Sequence, residues 1–191
     1  MNESLLLLVF DLDETLFRMP GYVGKTQVEV QGIRFDHPYD FYDHPVSLSE
    51  IVYNIQLIKP VYEAWKWGTQ VPGTISILVT HRVESLQSQV MEILSSRGIF
   101  FDQTFFLGRK SSKAETVREV LRQNPAIGKI RIYEDSIQQI DIYQKFFEQL
   151  NRQRDLAELP SYEYKTYIVD KSKVYRIEKV KLSEETAIEL I

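Results

Sequence analysis

Asp11 and Asp13 stand two positions apart where the apolar run Leu5-Leu6-Leu7-Leu8-Val9-Phe10 ends, in the segment Phe10-Asp11-Leu12-Asp13-Glu14-Thr15-Leu16. A run of this length suits a strand buried on both faces, as in the middle of a parallel sheet. Alternate residues of an extended chain point the same way, so the two carboxylates are expected to converge while Leu12 packs elsewhere. Two carboxylates ~4 Å apart repel by roughly 4 kcal/mol at an effective dielectric of about 20, and a divalent cation removes that penalty. The pattern suggests a nucleophilic carboxylate, a partner acid and a bound metal. A single Asp behind a strand more often caps a helix or opens a turn, so the rest of the chain has to carry the reading.

Other polar residues fall at element ends that would bring them to the same place. Thr80 closes the apolar stretch Thr74-Ile75-Ser76-Ile77-Leu78-Val79-Thr80, and Glu134-Asp135 follow Lys129-Ile130-Arg131-Ile132-Tyr133. Lys113 sits at the head of a helix running to about Gln123, with Ser112 and Glu115 in a capping-box pattern. Further helices are predicted over 60–68, opened by Pro60 and stopped by Gly68, over 84–97, stopped by Gly98, and over 137–150. Phe105-Phe106-Leu107 reads as a short strand, Tyr164 to Val169 as a last core strand and 174–182 as an edge strand. Strands alternating with helices predict an α/β fold, a doubly wound parallel sheet with right-handed crossovers. In such a sheet the ligand crevice lies beyond the carboxyl ends of the strands. Taken singly, each residue has a plainer reading: Thr80 and Asp135 as caps, Lys113 as a solvated lysine whose place Lys110 or Arg109 could take.

Residues 18–45 are dense in breakers, and 18–59 reads as a flap, or small cap, inserted after the first strand of a single domain spanning 1–191. Val28 to Phe35 around Gln31-Gly32 looks like a hairpin. Asp36 to Pro45 repeats Asp-His-Pro and reads either as proline turns with surface rings or as a lid whose Tyr39, Phe41 or Tyr42 meets substrate. His37 and His44 are not expected to ligate metal, and Asp141 reads as helix surface.

The order of these four segments resembles the motifs of the haloacid dehalogenase (HAD) superfamily, whose fold is Rossmannoid. Leu78-Val79-Thr80-His81-Arg82 and Ile132-Tyr133-Glu134-Asp135-Ser136 resemble more narrowly the HAD domain of Swiss Army Knife RNA repair proteins. Thr-Gly-Arg and Tyr-Glu-Asp-Arg are usual there, whereas His81 and Ser136 stand here for the Gly and the last Arg. The resemblance implies a Mg²⁺-dependent phosphatase in which Asp11 is the nucleophile and forms an aspartyl-phosphate, and Asp13 is the general acid and then base. It implies Mg²⁺ on Asp11, Asp135 and the backbone carbonyl of Asp13, with Asp135 rather than Glu134 in the metal role. Thr80, Lys113 and, at second rank, Arg82 would bind the phosphate. The substrate would be a phosphorylated small molecule or a nucleic-acid end. The rival expectation is a catalytically idle module that binds phosphorylated ligands or partners.

Composition narrows the field. The chain has 191 residues, a 43% hydrophobic share and a net charge of −4 from 27 acidic and 23 basic residues, which does not suggest a general polyanion binder. Without cysteine, disulfides, thiolate zinc sites and cysteine nucleophiles are excluded. The apolar run at 5–10 is too short for a signal-peptide core, and no stretch is long enough to span a membrane, so a soluble cytoplasmic protein is expected.

Overall fold

The apolar run forms β1, a central strand of a six-stranded sheet. A computed structural model describes residues 4–19, 28–109, 111–170 and 173–178. In chain order the strands and helices are β1 (Leu5–Phe10), β2 (Phe17–Arg18), β3 (Val28–Val30), β4 (Ile33–Phe35), α1 (Pro38–Tyr42), β5 (Gln56–Leu57), α2 (Lys59–Gln70), β6 (Thr74–Thr80), α3 (Gln87–Ser96), β7 (Gln103–Phe106), α4 (Lys113–Gln123), β8 (Ile127–Glu134), α5 (Ile137–Leu156), β9 (Glu163–Asp170) and β10 (Lys173–Ile177). Short 3-10 turns lie at Pro45–Leu48 and Glu84–Leu86.

The sheet order is β10-β9-β8-β1-β6-β7. All neighbours are parallel except β10, which runs antiparallel to β9 at the edge. The architecture is α/β with a mostly parallel sheet flanked by helices, as in a HAD-like Rossmannoid fold.

Period-two alternation along β1 sorts its side chains to two cores. Leu7 and Val9 join Ile77, Val79, Ile130 and Ile132 beneath α4 and α5. Leu8 and Phe10 join Leu78 and Tyr133 beneath α2 and α3, with Leu12, Leu16 and Phe17 packed into the same cluster. Leu7, Leu8, Val9 and Phe10 are at most 1% exposed, and each buried side chain of this kind contributes roughly 1.5–3 kcal/mol. The strand that delivers Asp11 is thereby held from both sides. Phe10 is in register with Leu78 of β6 and Tyr133 of β8, so the three strands end at one level.

Several sequence-based boundaries shift. Gly68 does not stop α2, which continues to Gln70. A Cβ at Gly68 would lie 2.0 Å from Leu8 Cδ1, so this glycine is there to let the helix press onto β1. The expected capping box does not form: the Ser112 side chain makes no cap bond, and its carbonyl instead accepts from the Thr116 amide and hydroxyl. α5 runs on to Leu156 rather than ending near 150. The Gln31-Gly32 hairpin is present, both residues having positive φ (51° and 76°), as a two-residue turn of this kind needs. Of Asp36 to Pro45, residues Pro38–Tyr42 form a short helix rather than a plain turn. The edge strand begins at Lys173; the remainder of the expected 174–182 segment beyond 178 lies outside the described residues.

Candidate active site

Asp11 leaves β1 with its amide donating to the Tyr133 carbonyl at 3.1 Å, which sets it beside the end of β8 where Glu134 and Asp135 follow. Carboxylate oxygens of Asp11, Glu134 and Asp135 lie within 4.8 Å of one another. α4 inserts the Lys113 ammonium into this group, 2.7 Å from Asp11 Oδ1 and 2.7 Å from Glu134 Oε2. Two of its three hydrogens are thus engaged. The Thr15 hydroxyl adds longer contacts to Asp11 Oδ2 (3.3 Å) and Asp135 Oδ1 (3.5 Å).

The electrostatics follow from three carboxylates sharing one cation. Burial pushes the Asp11 carboxyl up to about 7, against the opposing pull of Lys113, with Glu134 and Asp13 adding to the rise. Burial and then the charges of Asp11 and Glu134 push Asp135 up to about 9. Burial opposes the charge on Lys113, but Asp11 and Glu134 outweigh it and hold the ammonium above the usual lysine range.

This donor set fits a hard divalent cation. Its oxygens are carboxylate, its charge exceeds what Lys113 neutralises, and Mg²⁺ is usually held by one or two carboxylates plus substrate phosphate. Glu134 is engaged at Oε2 by Lys113 and at Oε1 by the Ser136 amide at 3.3 Å, and Asp11 at Oδ1 by Lys113 and at Oδ2 by Thr15. Every one of these oxygens keeps a second lone pair, so Asp11, Glu134 and Asp135 could each offer one to an ion.

The two acids of the first motif go to different partners. β1 ends at Phe10, and the Leu12 carbonyl then accepts from the amides of both Leu16 and Phe17, so the chain coils back. Glu14 has φ 53°, an uncommon conformation for a non-glycine residue, and its carboxylate accepts from the Met19 amide at 2.7 Å. Coiling sets Asp13 against Arg82, whose Nη2 and Nε donate to it at 2.6 and 3.0 Å.

Arg82 is fully enclosed, its side chain 1% exposed. Its Nη1 donates to the Tyr42 carbonyl at 2.7 Å and the Ser47 hydroxyl at 2.6 Å. Four of its five N–H groups are therefore occupied, and the guanidinium ties Asp13 to the segment between α1 and the first 3-10 turn. Thr80 is 1% exposed and accepts from the Arg82 amide at 3.1 Å, which leaves its hydroxyl proton for an incoming oxygen.

A cavity of about 380 Å³ opens in front of Asp13 and Arg82, walled by Tyr42, His81, Gly108 and the Arg109–Asp43 pair. Burial holds the His81 imidazole below the usual histidine range, favouring its neutral form. Of the three rings singled out for a lid, Tyr42 lines this cavity, Phe41 is buried against Phe35 and Tyr53, and the Tyr39 side chain lies outside the described residues. Arg109 pairs with Asp40 and Asp43 rather than with the carboxylate group, and Lys110 is outside the described residues. The His44 ring caps the first 3-10 turn through Nδ1, and Asp141 pairs with Lys145 along α5.

Sequence reasoning gave no role to Glu134, Ser47 or the Tyr42 carbonyl. The acidity of Glu134 beside Asp135 was a signal; the other two carry none, because a serine and a backbone oxygen are uninformative until the fold sets them against Arg82.

The family model described as HAD domain family 1 in Swiss Army Knife RNA repair proteins matches residues 47–188. That span holds Thr80, Arg82, Lys113, Glu134 and Asp135. No curated protein matches the chain. Two solved structures, described as the Pnkp1/Rnl/Hen1 complex and the Pnkp1/Rnl/Hen1 RNA repair complex, each align at 16% identity and a TM-score of 0.48 over 85% of this chain. The chain spans less than half of each matched chain, 47% and 43% respectively. Among the described residues no helix is long and apolar enough to cross a membrane.

Proposed function

The chain belongs to HAD domain family 1 of the Swiss Army Knife RNA repair proteins, and from that premise we propose that it is a Mg²⁺-dependent phosphatase working through an aspartyl-phosphate on Asp11. The family supports a HAD-like phosphoesterase. The observation that carries the finer reading is the buried group of Asp11, Glu134 and Asp135 around Lys113, set beside a cavity that Asp13 faces.

In this reading a carboxylate oxygen of Asp11 attacks phosphorus as the bond to the leaving oxygen breaks. Asp13 gives that oxygen its proton. The Asp13 carboxylate then takes a proton from water, whose oxygen attacks phosphorus, and the bond to Asp11 breaks to release inorganic phosphate. The Thr80 hydroxyl and the remaining Lys113 hydrogen hold phosphoryl oxygens. Mg²⁺ on Asp11 and Asp135 would neutralise phosphoryl charge. We assign the Asp13 backbone carbonyl to the same ion. Because the leaving oxygen must reach Asp13, the leaving group occupies the cavity beneath Tyr42. Of the proposed flap at 18–59, Tyr42 and Asp43 line this cavity, and in this reading the site admits a bulky substrate such as a phosphorylated RNA end.

Arg82 is better used on Asp13 than on phosphate, since a single N–H is left over. Replacing it with Lys should cost about 10²–10⁴-fold in kcat on alkyl or nucleotide esters, whose poor leaving groups need a proton, and much less on p-nitrophenyl phosphate. Equal losses on both would return Arg82 to the phosphate.

The three-carboxylate group sets a second expectation, for stability. Both Asp11 and Asp135 have raised carboxyl values in the fold, so their contribution is complete below the ordinary value of 3.8 and is lost as pH climbs through about 7 and about 9. A cation that neutralises them restores it. Mg²⁺ should therefore raise Tm more at pH 9 than at pH 5, and Asp135→Asn should shrink that difference. A Tm shift independent of pH would contradict the assignment.

The test of function is phosphate release with Mg²⁺ from small esters and from phosphorylated oligonucleotides. Preferential turnover of the oligonucleotides supports an open site for RNA ends, and equal or better turnover of the small esters counts against it. An inert chain that still bound phosphorylated ligands would favour a recognition module.

A further inference from the structure

A second cleft, of about 310 Å³, lies away from the catalytic edge, where β1, β6, β8 and β9 begin. Lys129 and Arg131 of β8 are in register with Glu163 and Lys165 of β9, and alternation puts all four on the sheet face that α2 partly covers. α2 supplies the facing wall. Its close approach at Gly68 brings the neighbouring Trp67 over β8, where the ring remains 46% exposed. The Arg131 guanidinium lies 4.8 Å from the centre of that ring.

Three features narrow what the cleft would take. The lining carries three cations against one acid, Glu163, which pairs with Lys165 at 3.2 Å, in a chain whose net charge is −4. The cations are spread apart: Lys129 and Arg131 are separated by roughly 7 Å of strand and Lys165 lies across from Arg131 on β9, which suits repeated phosphates more than one ion. An exposed indole with a guanidinium stacked on it offers flat faces of the kind on which nucleobases stack. The residues the argument uses, Trp67, Lys129, Arg131 and Lys165, sit on strand and helix, so their positions are set before any ligand arrives.

We propose that this cleft binds a stretch of single-stranded nucleic acid, one base stacking on the Trp67–Arg131 pair and the backbone phosphates meeting Lys129 and Lys165. The inference goes beyond the phosphatase reading and does not depend on it, since binding here needs neither Asp11 nor a terminal phosphate.

The test is fluorescence anisotropy of a short labelled oligouridylate that carries no terminal phosphate, with the intact chain. Trp67→Ala should weaken binding about tenfold or more, and Trp67→Phe should restore most of it. Lys129→Ala with Lys165→Ala should lower the slope of log affinity against log salt by about 1.4, at roughly 0.7 per phosphate contact. Asp11→Asn should leave binding unchanged, and the cleft variants should keep wild-type turnover of a small phosphate ester. Unaltered affinity in the cleft variants would overturn the proposal. So would loss of binding in Asp11→Asn, which would put the strand at the catalytic edge, or equal competition by polyglutamate, which would make the ligand an acidic peptide.

Discussion

Replacing Asp11 by Asn is expected to cut phosphate release by about 10⁴-fold or more, the scale on which a nucleophile's loss acts when residues work as a unit. The same change should leave the fold as stable as before, or more so, when no divalent cation is added. Asn keeps the shape of Asp but removes one of three crowded carboxylates, and Lys113 keeps its 2.7 Å contact with Glu134. Asp135, whose carboxyl value the charge of Asp11 helps to raise, is relieved at the same time. The two readouts thus move in opposite directions, which separates loss of chemistry from loss of structure. Phosphate release and thermal unfolding on one preparation check both, and undiminished turnover would move the nucleophile elsewhere.

Lys113→Met is expected to fail in both respects. Removing the cation leaves Asp11 and Glu134 buried with nothing to neutralise them, beside a third carboxylate. Breaking a buried pair from one side costs about 3–5 kcal/mol. In a chain of this size that lowers Tm by about 6–20 °C, at roughly 2–4 °C per kcal/mol. Activity should fall with it, since the third ammonium hydrogen is assigned to the phosphoryl group. Adding Asp11→Asn to the Met variant should recover part of the lost stability, because the two changes share one network and do not add. A Tm indistinguishable from wild type would mean that Lys113 is not the cation that balances this site.

The parts legible in the sequence were those whose chemistry is local. Leu5 to Phe10 announce a buried strand because consecutive apolar residues satisfy both faces of a sheet, and the carboxylates that follow must lie at its end. Glu134-Asp135 could be placed beside Asp11 by the same logic, and Thr80 at the end of the neighbouring strand, since parallel strands end on one side. What could not be read depended on distant contacts. Alternation put Asp11 and Asp13 on one side of an extended strand; it could not foretell that the strand stops at Phe10, that the Leu12 carbonyl winds the chain around itself, or that Asp13 takes Arg82 as its partner. Arg82 read as a second-rank phosphate ligand because nothing nearby announced that Asp13, the Tyr42 carbonyl and Ser47 would take four of its five N–H groups. Gly68 looked like a helix stop, whereas its purpose is close packing against Leu8, sixty residues earlier in the chain.

The central claim, that the Asp11 carboxylate takes the phosphoryl group before water does, is tested most directly by stopping the reaction during turnover and mapping the phosphate covalently bound to the chain. The account predicts one phosphoryl group, released by hydroxylamine as an acyl phosphate is, on the peptide that contains Asp11, and none in Asp11→Asn. Turnover that proceeds with no protein-bound phosphoryl group, or with one on another residue, would contradict it.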